Sequence, residues 1–478
     1  MGQSLVELLG AITCAIANFQ TGRAVISYDP KTNRLLGFYD AVPGFLEGSD
    51  TPRAYLERCI ETIEAREPDI GAFASIDLAA ARRMADASTA RFRDGQPLSS
   101  VDGMPVGIKD LFKTRDLPTG LGSPLYKDKR HTLDSAHVWA LRRGGAVIVG
   151  KTATPELGSG MPPPTRNPFD LDRSPGASSS GSGAAVGAAM LPVATASQGR
   201  GSILRPASFC ANVALKPTFG ALHCGGLMWR SPSYGVLGVH AGTIEDCWMT
   251  AQHIASVVGG DPGYPGLFGP PAMQEAVKPT RLVVLETAGW TRTEPEVKER
   301  FNTYLDTLRA AGIQIVGRKE EEAIEKFEQA LLSILTFRPA LAAWEIRWPA
   351  LPIMELEGDG ITPEFSARLR ESEEMSLDDY RRALAALGAL RRDFARFEDF
   401  ADGYITLCTP TMPPPYPETG DSVFGDVSSS LGAPAWSLPL LEDRGLPMGV
   451  QLMGNPHRDY ELGCIGRWLM AQMRDAKT

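Results

Sequence analysis

Residues 176–183 read GASSSGSG, and the residues after this run limit how it can fold. Serines set between glycines make a flexible linker when the chain around them stays polar. Here the next residues are Ala184-Ala185-Val186-Gly187-Ala188-Ala189-Met190, small and apolar. A loop feeding such a segment predicts the start of a tightly packed, buried helix, where free backbone N–H groups gather. A second turn, Gly199-Arg200-Gly201-Ser202, comes soon after and leads into Arg205-Pro206. The stretch 174–220 is the part around which the rest of the chain is arranged.

The flanking sequence has the grammar of an α/β protein. Val106-Gly107-Ile108-Lys109 is a short apolar strand ending in a lysine. Asp134 is placed to cap a helix that stops at Gly144-Gly145, and the strand Ala146–Val149 comes at once after it. Strand Arg281–Leu285, helix Pro295–Ala311, Gly312 and strand Ile313–Val316 repeat the pattern. Apolar spacing predicts helices over 52–66 and Leu78–Phe92. Ser376 and Asp379 form a capping-box pattern, opening a helix with one apolar face through Phe397. Tyr404–Cys408 reads as a strand stopped before Pro410. Near the N-terminus, Leu5–Phe19 reads as a helix, and AVISY-DPKTN-RLLGFYD (24–40) as a β-hairpin. The expected organisation is an N-terminal extension over 1–50 and one domain over 51–478, with a core at about 100–260.

Charge and cysteines narrow the classes of function. The chain of 478 residues carries a formal charge of −9 and no polybasic run, which argues against nucleic acid or an anionic membrane as partner. Seven scattered cysteines without a C-x-x-C pair fit neither a disulfide framework nor a zinc site. The six histidines show no ligand spacing. No Lys or Arg precedes the Leu5–Phe19 run, Glu7 interrupts it, and it is too short to span a bilayer. Val6 stands where a myristoylation signal needs Ser or Thr. A cytoplasmic protein with no metal or cofactor is the expectation, and a homodimer is left open.

Several segments carry a family resemblance. GASSSGS (176–182), RGSI (200–203), PASFCA (206–211) and LKPT (215–218) lie in the central stretch. GMPVGIKDLF (103–112) and GKTATPELG (150–158) lie upstream, and LGAPAWSLPL (431–440) and GLPMGVQLMG (445–454) near the C-terminus. In this order they resemble the amidase signature family over roughly residues 55–470. The resemblance implies an α/β fold with a central mixed β-sheet flanked by helices on both faces. It also implies a triad in which Ser202 is the nucleophile, Lys109 the base, and Ser178 a bridging serine after a cis peptide bond.

Amide hydrolysis of this kind needs a nucleophile, a base and donors for an oxyanion. A buried lysine without a carboxylate partner has a lowered pKa and can act as a base. Asp110 should point to the other face of the strand from Lys109. Ser179 is the rival for the role of Ser178. The backbone N–H groups of Gly199, Arg200, Gly201 and Ser202 would form the oxyanion hole. There is no G-x-S-x-G elbow, while a histidine-based triad is left open, since its members need not be close in sequence.

Two residues depart from the family pattern: Ala177 and Arg200 stand where glycine is usual. Arginine at 200 is strained if that position requires φ > 0. Its side chain is expected at the site's entrance, against an acidic group of protein or substrate. Arg205 is either a reader of a substrate carboxylate or a clamp on protein groups. Met161, Trp229, Tyr234 and Trp436 are candidate pocket residues, with the substrate pocket built from 225–235 and 320–430. The resemblance implies a serine amidase acting on a small amide, anilide, carbamate or ester. The alternatives are a glutaminase subunit of an amidotransferase complex and an inactive binding protein on the same fold.

Overall fold

The computed structural model describes residues 27–159, 161–228, 231–357 and 360–475. Its centre is one mixed sheet of eleven strands. In chain order these are β1 (Phe73–Ile76), β2 (Pro105–Lys109), β3 (Val147–Thr152), β4 (Val193–Gln198), β5 (Val213–Lys216) and β6 (Val236–Ala241). They continue with β7 (Arg281–Val284), β8 (Gln314–Val316), β9 (Gly403–Leu407), β10 (Ala435–Asp443) and β11 (Leu446–Met453). Across the sheet the order is β1-β3-β2-β4-β6-β5-β10-β11-β9-β7-β8.

β2 runs parallel to β3 and to β4, and β7 parallel to β8 and to β9. The central pairings β4–β6, β6–β5, β5–β10 and β10–β11 are antiparallel. Every residue of β2, β3, β4, β5 and β6 is buried, with no alternation. A strand buried on both sides needs cover on both faces, which is why these segments read as near-continuous small or apolar runs. The helix Ile244–Val258 packs on β5 and β6, and the helix Leu204–Phe209 on β5, β10 and β11.

The serine/glycine run does begin a buried helix, Ser180–Gly187, all eight of whose residues are inaccessible. Its composition reflects how closely other backbone approaches it. A Cβ on Gly181 would lie 2.3 Å from the backbone N of Ala153 and from the carbonyl O of Ala72. A Cβ on Gly187 would lie 2.2 Å from the carbonyl O of Cys210. Larger residues would push this helix off the sheet.

The α-to-β connections form as expected, with shifts at their ends. The helix Ala136–Arg143 ends at Gly144, and Gly145 (φ +87°) turns the chain into β3. Asp134 is not its cap. Its carboxylate accepts from the Arg115 N–H at 2.9 Å and pairs with Arg142 Nε at 3.1 Å, leaving Ser135 at the N-cap. The Ser376 and Asp379 capping box is present and opens the helix Leu377–Ala395.

The expected hairpin is the main correction to the fold. Residues 27–38 contain no strand; residues 24–26, and with them the helix expected over Leu5–Phe19, lie outside the described residues. The turn survives, since the Asn33 N–H donates to the Asp29 carbonyl at 2.8 Å. The arms then bond elsewhere. Tyr28 N–H donates to the Gly445 carbonyl at 2.8 Å, and the N–H groups of Phe38 and Tyr39 donate to Asp246 at 2.9 and 2.8 Å. Phe38 is fully buried against Phe45 and Tyr55, so packing onto the domain outweighs local strand pairing.

Candidate active site

Lys109 is the last residue of β2, and its side chain is fully buried. Its Nζ donates to Ser178 Oγ at 2.7 Å, Ser179 Oγ at 3.0 Å, Ser197 Oγ at 3.0 Å and the Ser197 carbonyl at 3.3 Å. Each of these partners is neutral. Burial alone therefore acts on the ammonium and holds it well below the usual lysine range.

The adjacent carboxylate is committed elsewhere. Strand geometry sends Asp110 away from Lys109, and it pairs with Lys151 Nζ at 2.9 Å. Burial pushes Asp110 up and Lys151 down, and their mutual attraction opposes both shifts. Lys151 also donates to the Phe112 carbonyl at 2.9 Å and Thr119 Oγ1 at 3.0 Å.

Ser178 comes after a cis Ala177–Ser178 peptide bond, and its carbonyl accepts from Thr154 Oγ1 at 2.9 Å. Ser179 is the N-cap position of the helix Ser180–Gly187. Ser202 sits in the turn between β4 and the helix Leu204–Phe209. Ser178 and Ser202 line the same cavity, of about 1220 Å³, together with Ser197, Gly199 and Arg200. Among the described residues no hydrogen bond joins Ser178 to Ser202, so the chain of contacts reaches from Lys109 to Ser178 and stops there.

The turn itself is held by its carbonyls and by Gln198. Gln198 Oε1 accepts from the N–H groups of Ile203 and Leu204 at 2.8 and 3.1 Å, and its Nε2 donates to Ser429 Oγ at 3.0 Å. The Gly199 carbonyl accepts from Arg338, and the Arg200 carbonyl from Ser429. Among the described residues the N–H groups of Gly199, Arg200, Gly201 and Ser202 donate to no protein acceptor. Of these residues only Gly201 is buried, and successive N–H groups in a turn that lines a cavity can receive an anion. The helix Val423–Leu431 backs the turn at close range. A Cβ on Gly425 would stand 2.7 Å from Gly201 Cα, and one on Gly201 would stand 2.8 Å from Ser422 Cβ.

Arg200 is not in the left-handed region, so the strain expected of an arginine there is absent. Its guanidinium, with the side chain 63% exposed, pairs with Asp426 at 3.2 Å. The acidic group at the entrance is thus supplied by the protein. Arg205 is buried, and its two terminal nitrogens donate to the carbonyls of Gly420 and Ala177. It clamps two loops with one N–H of each terminal nitrogen; Nε has no hydrogen-bond partner among the described residues, and Arg205 lines the cavity, so the clamp does not use all of its donors. Burial, with the nearby Arg200 charge adding to it, brings it down to about 10.

Of the four pocket candidates, Tyr234 lines the cavity. Met161 does not; it is 63% exposed on the surface. Trp436 is fully buried in the core, with its Nε1 donating to the Asp459 carbonyl at 3.3 Å. Trp229 lies outside the described residues. Part of the remaining lining comes from the segments expected to build the pocket, including Ser231, Ala342, Glu345, Trp348, Asp421 and Ser422, and part from outside them, including Leu111, Leu157, Arg173, Glu294 and Leu446. Glu345 is a buried carboxylate that accepts from Ser233 and Tyr380, and burial pushes it up. No described histidine lines the cavity, and His240 is buried on Asn212 at 2.9 Å and pushed down to about 3 by burial. Ser197, Arg338, Asp426 and Ser429 escape a reading of the sequence. Only Ser197 carries a signal there, as a strand-end serine just before the glycine turn.

Comparison with known proteins bears on the family and the fold. A family model described as Amidase matches residues 54–462. The chain is 30% identical to the A-type subunit of the glutamyl-tRNA(Gln) amidotransferase of Acidothermus cellulolyticus, over 90% of this chain and 92% of the relative. It is 29% identical to the same protein of Chloroflexus aggregans, over 86% and 91%. A solved structure described as an amidase superposes with a TM-score of 0.79 at 26% identity, covering 91% of this chain and 99% of that one.

Proposed function

The chain belongs to the amidase family, and on that premise we propose that it hydrolyses a small carboxylic amide, or a related anilide or carbamate, through a serine acyl-enzyme. Ser202 is the nucleophile, Ser178 the proton bridge and Lys109 the base. One observation carries the reading: Lys109 is fully buried, bonded to Ser178 Oγ at 2.7 Å, with no carboxylate among its partners. An ammonium in that place loses its proton easily, and a neutral amine is what a hydroxyl nucleophile needs.

The steps come from the residues. Ser202 Oγ attacks the amide carbonyl while its proton passes to Ser178 Oγ, whose own proton passes to Lys109 Nζ. The carbonyl oxygen takes up negative charge and is met by the N–H groups of the Gly199–Ser202 turn. The C–N bond then breaks, and the proton returns by the same route to the departing nitrogen. Water attacks the ester of Ser202 in the second half and releases the acid. For this the contact between Ser178 and Ser202 must close when substrate occupies the cavity.

A second reading has a specific observation in its favour. The relatives from Acidothermus cellulolyticus and Chloroflexus aggregans are parts of amidotransferases, so the ammonia released would come from glutamine and pass to a partner protein. One experiment separates the two. The purified chain is given a panel of amides graded in acyl size and charge, glutamine included, and release of ammonia or amine is followed. Turnover of simple amides by the chain alone supports the hydrolase. Turnover of glutamine only, and only with a co-purifying partner protein, supports the amidotransferase. No turnover of any amide under either condition overturns both.

A further inference from the structure

Two side chains outside the serine and lysine cluster hold the carbonyls of the Gly199–Ser202 turn. Arg338, on the helix Ile334–Glu345, donates from Nη2 to the Gly199 carbonyl at 2.6 Å. Ser429, on the helix Val423–Leu431, donates from Oγ to the Arg200 carbonyl at 3.1 Å. In a trans peptide the C=O and the following N–H point in opposite directions. The bond from Arg338 therefore fixes where the Arg200 N–H points, and the bond from Ser429 fixes the Gly201 N–H.

The setting of Arg338 is that of a part held in place. Its side chain is 5% exposed, and its guanidinium lies 3.4 Å from the centre of the Tyr234 ring. The same Nη2 pairs with Asp426 Oδ1 at 3.1 Å. Its Nε and Nη1 are buried and have no hydrogen-bond partner among the described residues. Burying a guanidinium with donors unused is unfavourable, so the contacts it does make have to be worth that penalty. Asp426 and Ser429 are one helical turn apart and share a face. One face of the helix Val423–Leu431 thus anchors Arg338 and the Arg200 carbonyl together.

Resting on the reading of Ser202 as nucleophile, we propose that Arg338 and Ser429 are positioning residues of the oxyanion hole. They act through the peptide planes of Gly199–Arg200 and Arg200–Gly201 and need not touch the substrate. A hole with fixed donors reorganises little as charge develops, which is where such sites gain most of their rate.

The test uses the full chain with Arg338→Gln, Arg338→Lys and Ser429→Ala. Three quantities are measured: kcat and KM on an amide that the unaltered protein turns over, the inhibition constant of a boronic acid, and the pH profile of kcat. A boronic acid forms a tetrahedral adduct on a serine and places an oxygen where the oxyanion would be. Arg338→Gln is expected to lower kcat by about 10²-fold and Ser429→Ala by about 10-fold, with KM within about threefold. Boronate affinity should fall in parallel, the pH profile should keep its shape, and Arg338→Lys should recover part of the rate. An unchanged kcat, or a loss carried by KM with boronate affinity intact, overturns the proposal. If the Arg338 variants do not unfold cooperatively, the Ser429→Ala result decides by the same criteria. If a fluorophosphonate fails to label Ser202 in the unaltered protein, the underlying reading falls and takes this one with it. Labelling with no effect of the variants removes this one alone.

Discussion

Lys109 and Lys151 lie on neighbouring strands of the sheet, both fully buried, and only Lys151 has a carboxylate, Asp110, at 2.9 Å. The alternation of side chains along β2 brings this about, because it gives Lys109 and Asp110 to opposite faces. One lysine is thereby kept as the cation of a buried pair. The other is left among hydroxyls, where burial favours its neutral form.

The first prediction concerns pH. The pKa of Lys109 is lower in the folded chain than in the unfolded one, so between the two values the unfolded chain binds the extra proton. Stability therefore rises with pH through that window, and at lower pH the burial penalty is present in full. Lys109→Met removes the penalty. Its melting temperature relative to the unaltered protein should climb as pH falls from about 10 to 7, while its activity is lost. Activity of the unaltered protein should rise with pH as Lys109 deprotonates. Parallel melting curves for the two proteins across this range would contradict a buried, neutral Lys109.

The second concerns the paired lysine. Asp110→Asn leaves the Lys151 charge buried without its partner, and breaking a buried pair in this way costs about 3–5 kcal/mol. Urea unfolding at neutral pH measures it. A loss below about 1 kcal/mol would show that the pair does not anchor this edge of the site.

The third concerns Arg205, whose two bonds go to the carbonyls of Gly420 and Ala177. Lysine has no planar fork and cannot satisfy both. Arg205→Lys should lower stability by about 1–3 kcal/mol through the carbonyl left unpaired. The ratio of kcat/KM for a neutral amide to that for a carboxylate-bearing amide should stay the same. A change in that ratio of tenfold or more would show Arg205 to be a reader of substrate charge.

The fourth concerns Arg200. Its side chain is 63% exposed and its partner Asp426 keeps a second cation in Arg338. Arg200→Gly should change unfolding free energy by less than about 1 kcal/mol. It relieves no backbone strain, since Arg200 is outside the left-handed region. A gain in stability well above that limit, measured by urea unfolding, would mean the arginine is strained after all.

Much of this is legible in the sequence, and the parts that are not share a cause. The serine/glycine run announces a buried helix because nothing but close backbone contact calls for such small residues before an apolar segment. Lys109 can be placed from the strand around it, and the Ser376 and Asp379 box from local spacing alone. The hairpin fails because Asp246 and Gly445 compete for its backbone donors from more than two hundred residues away. Arg338, Asp426 and Ser429 also meet the Gly199–Ser202 turn from remote parts of the chain, 139, 226 and 229 residues from their partners in it, and no local pattern marks them. Met161 and Trp436 illustrate the limit of residue type: one lies at the surface and the other in the core, though both suit a pocket by chemistry.

The central claim is that Ser202 attacks with help from Lys109 by way of Ser178. Its most direct test is mass spectrometry of the full chain after treatment with a fluorophosphonate, with peptide mapping of the adduct. The account predicts one adduct on Ser202, none in Ser202→Ala, and labelling slowed by several orders of magnitude in Lys109→Met and Ser178→Ala. An adduct on Ser178, Ser179 or any other serine, or labelling at Ser202 that ignores the loss of Lys109, would contradict it.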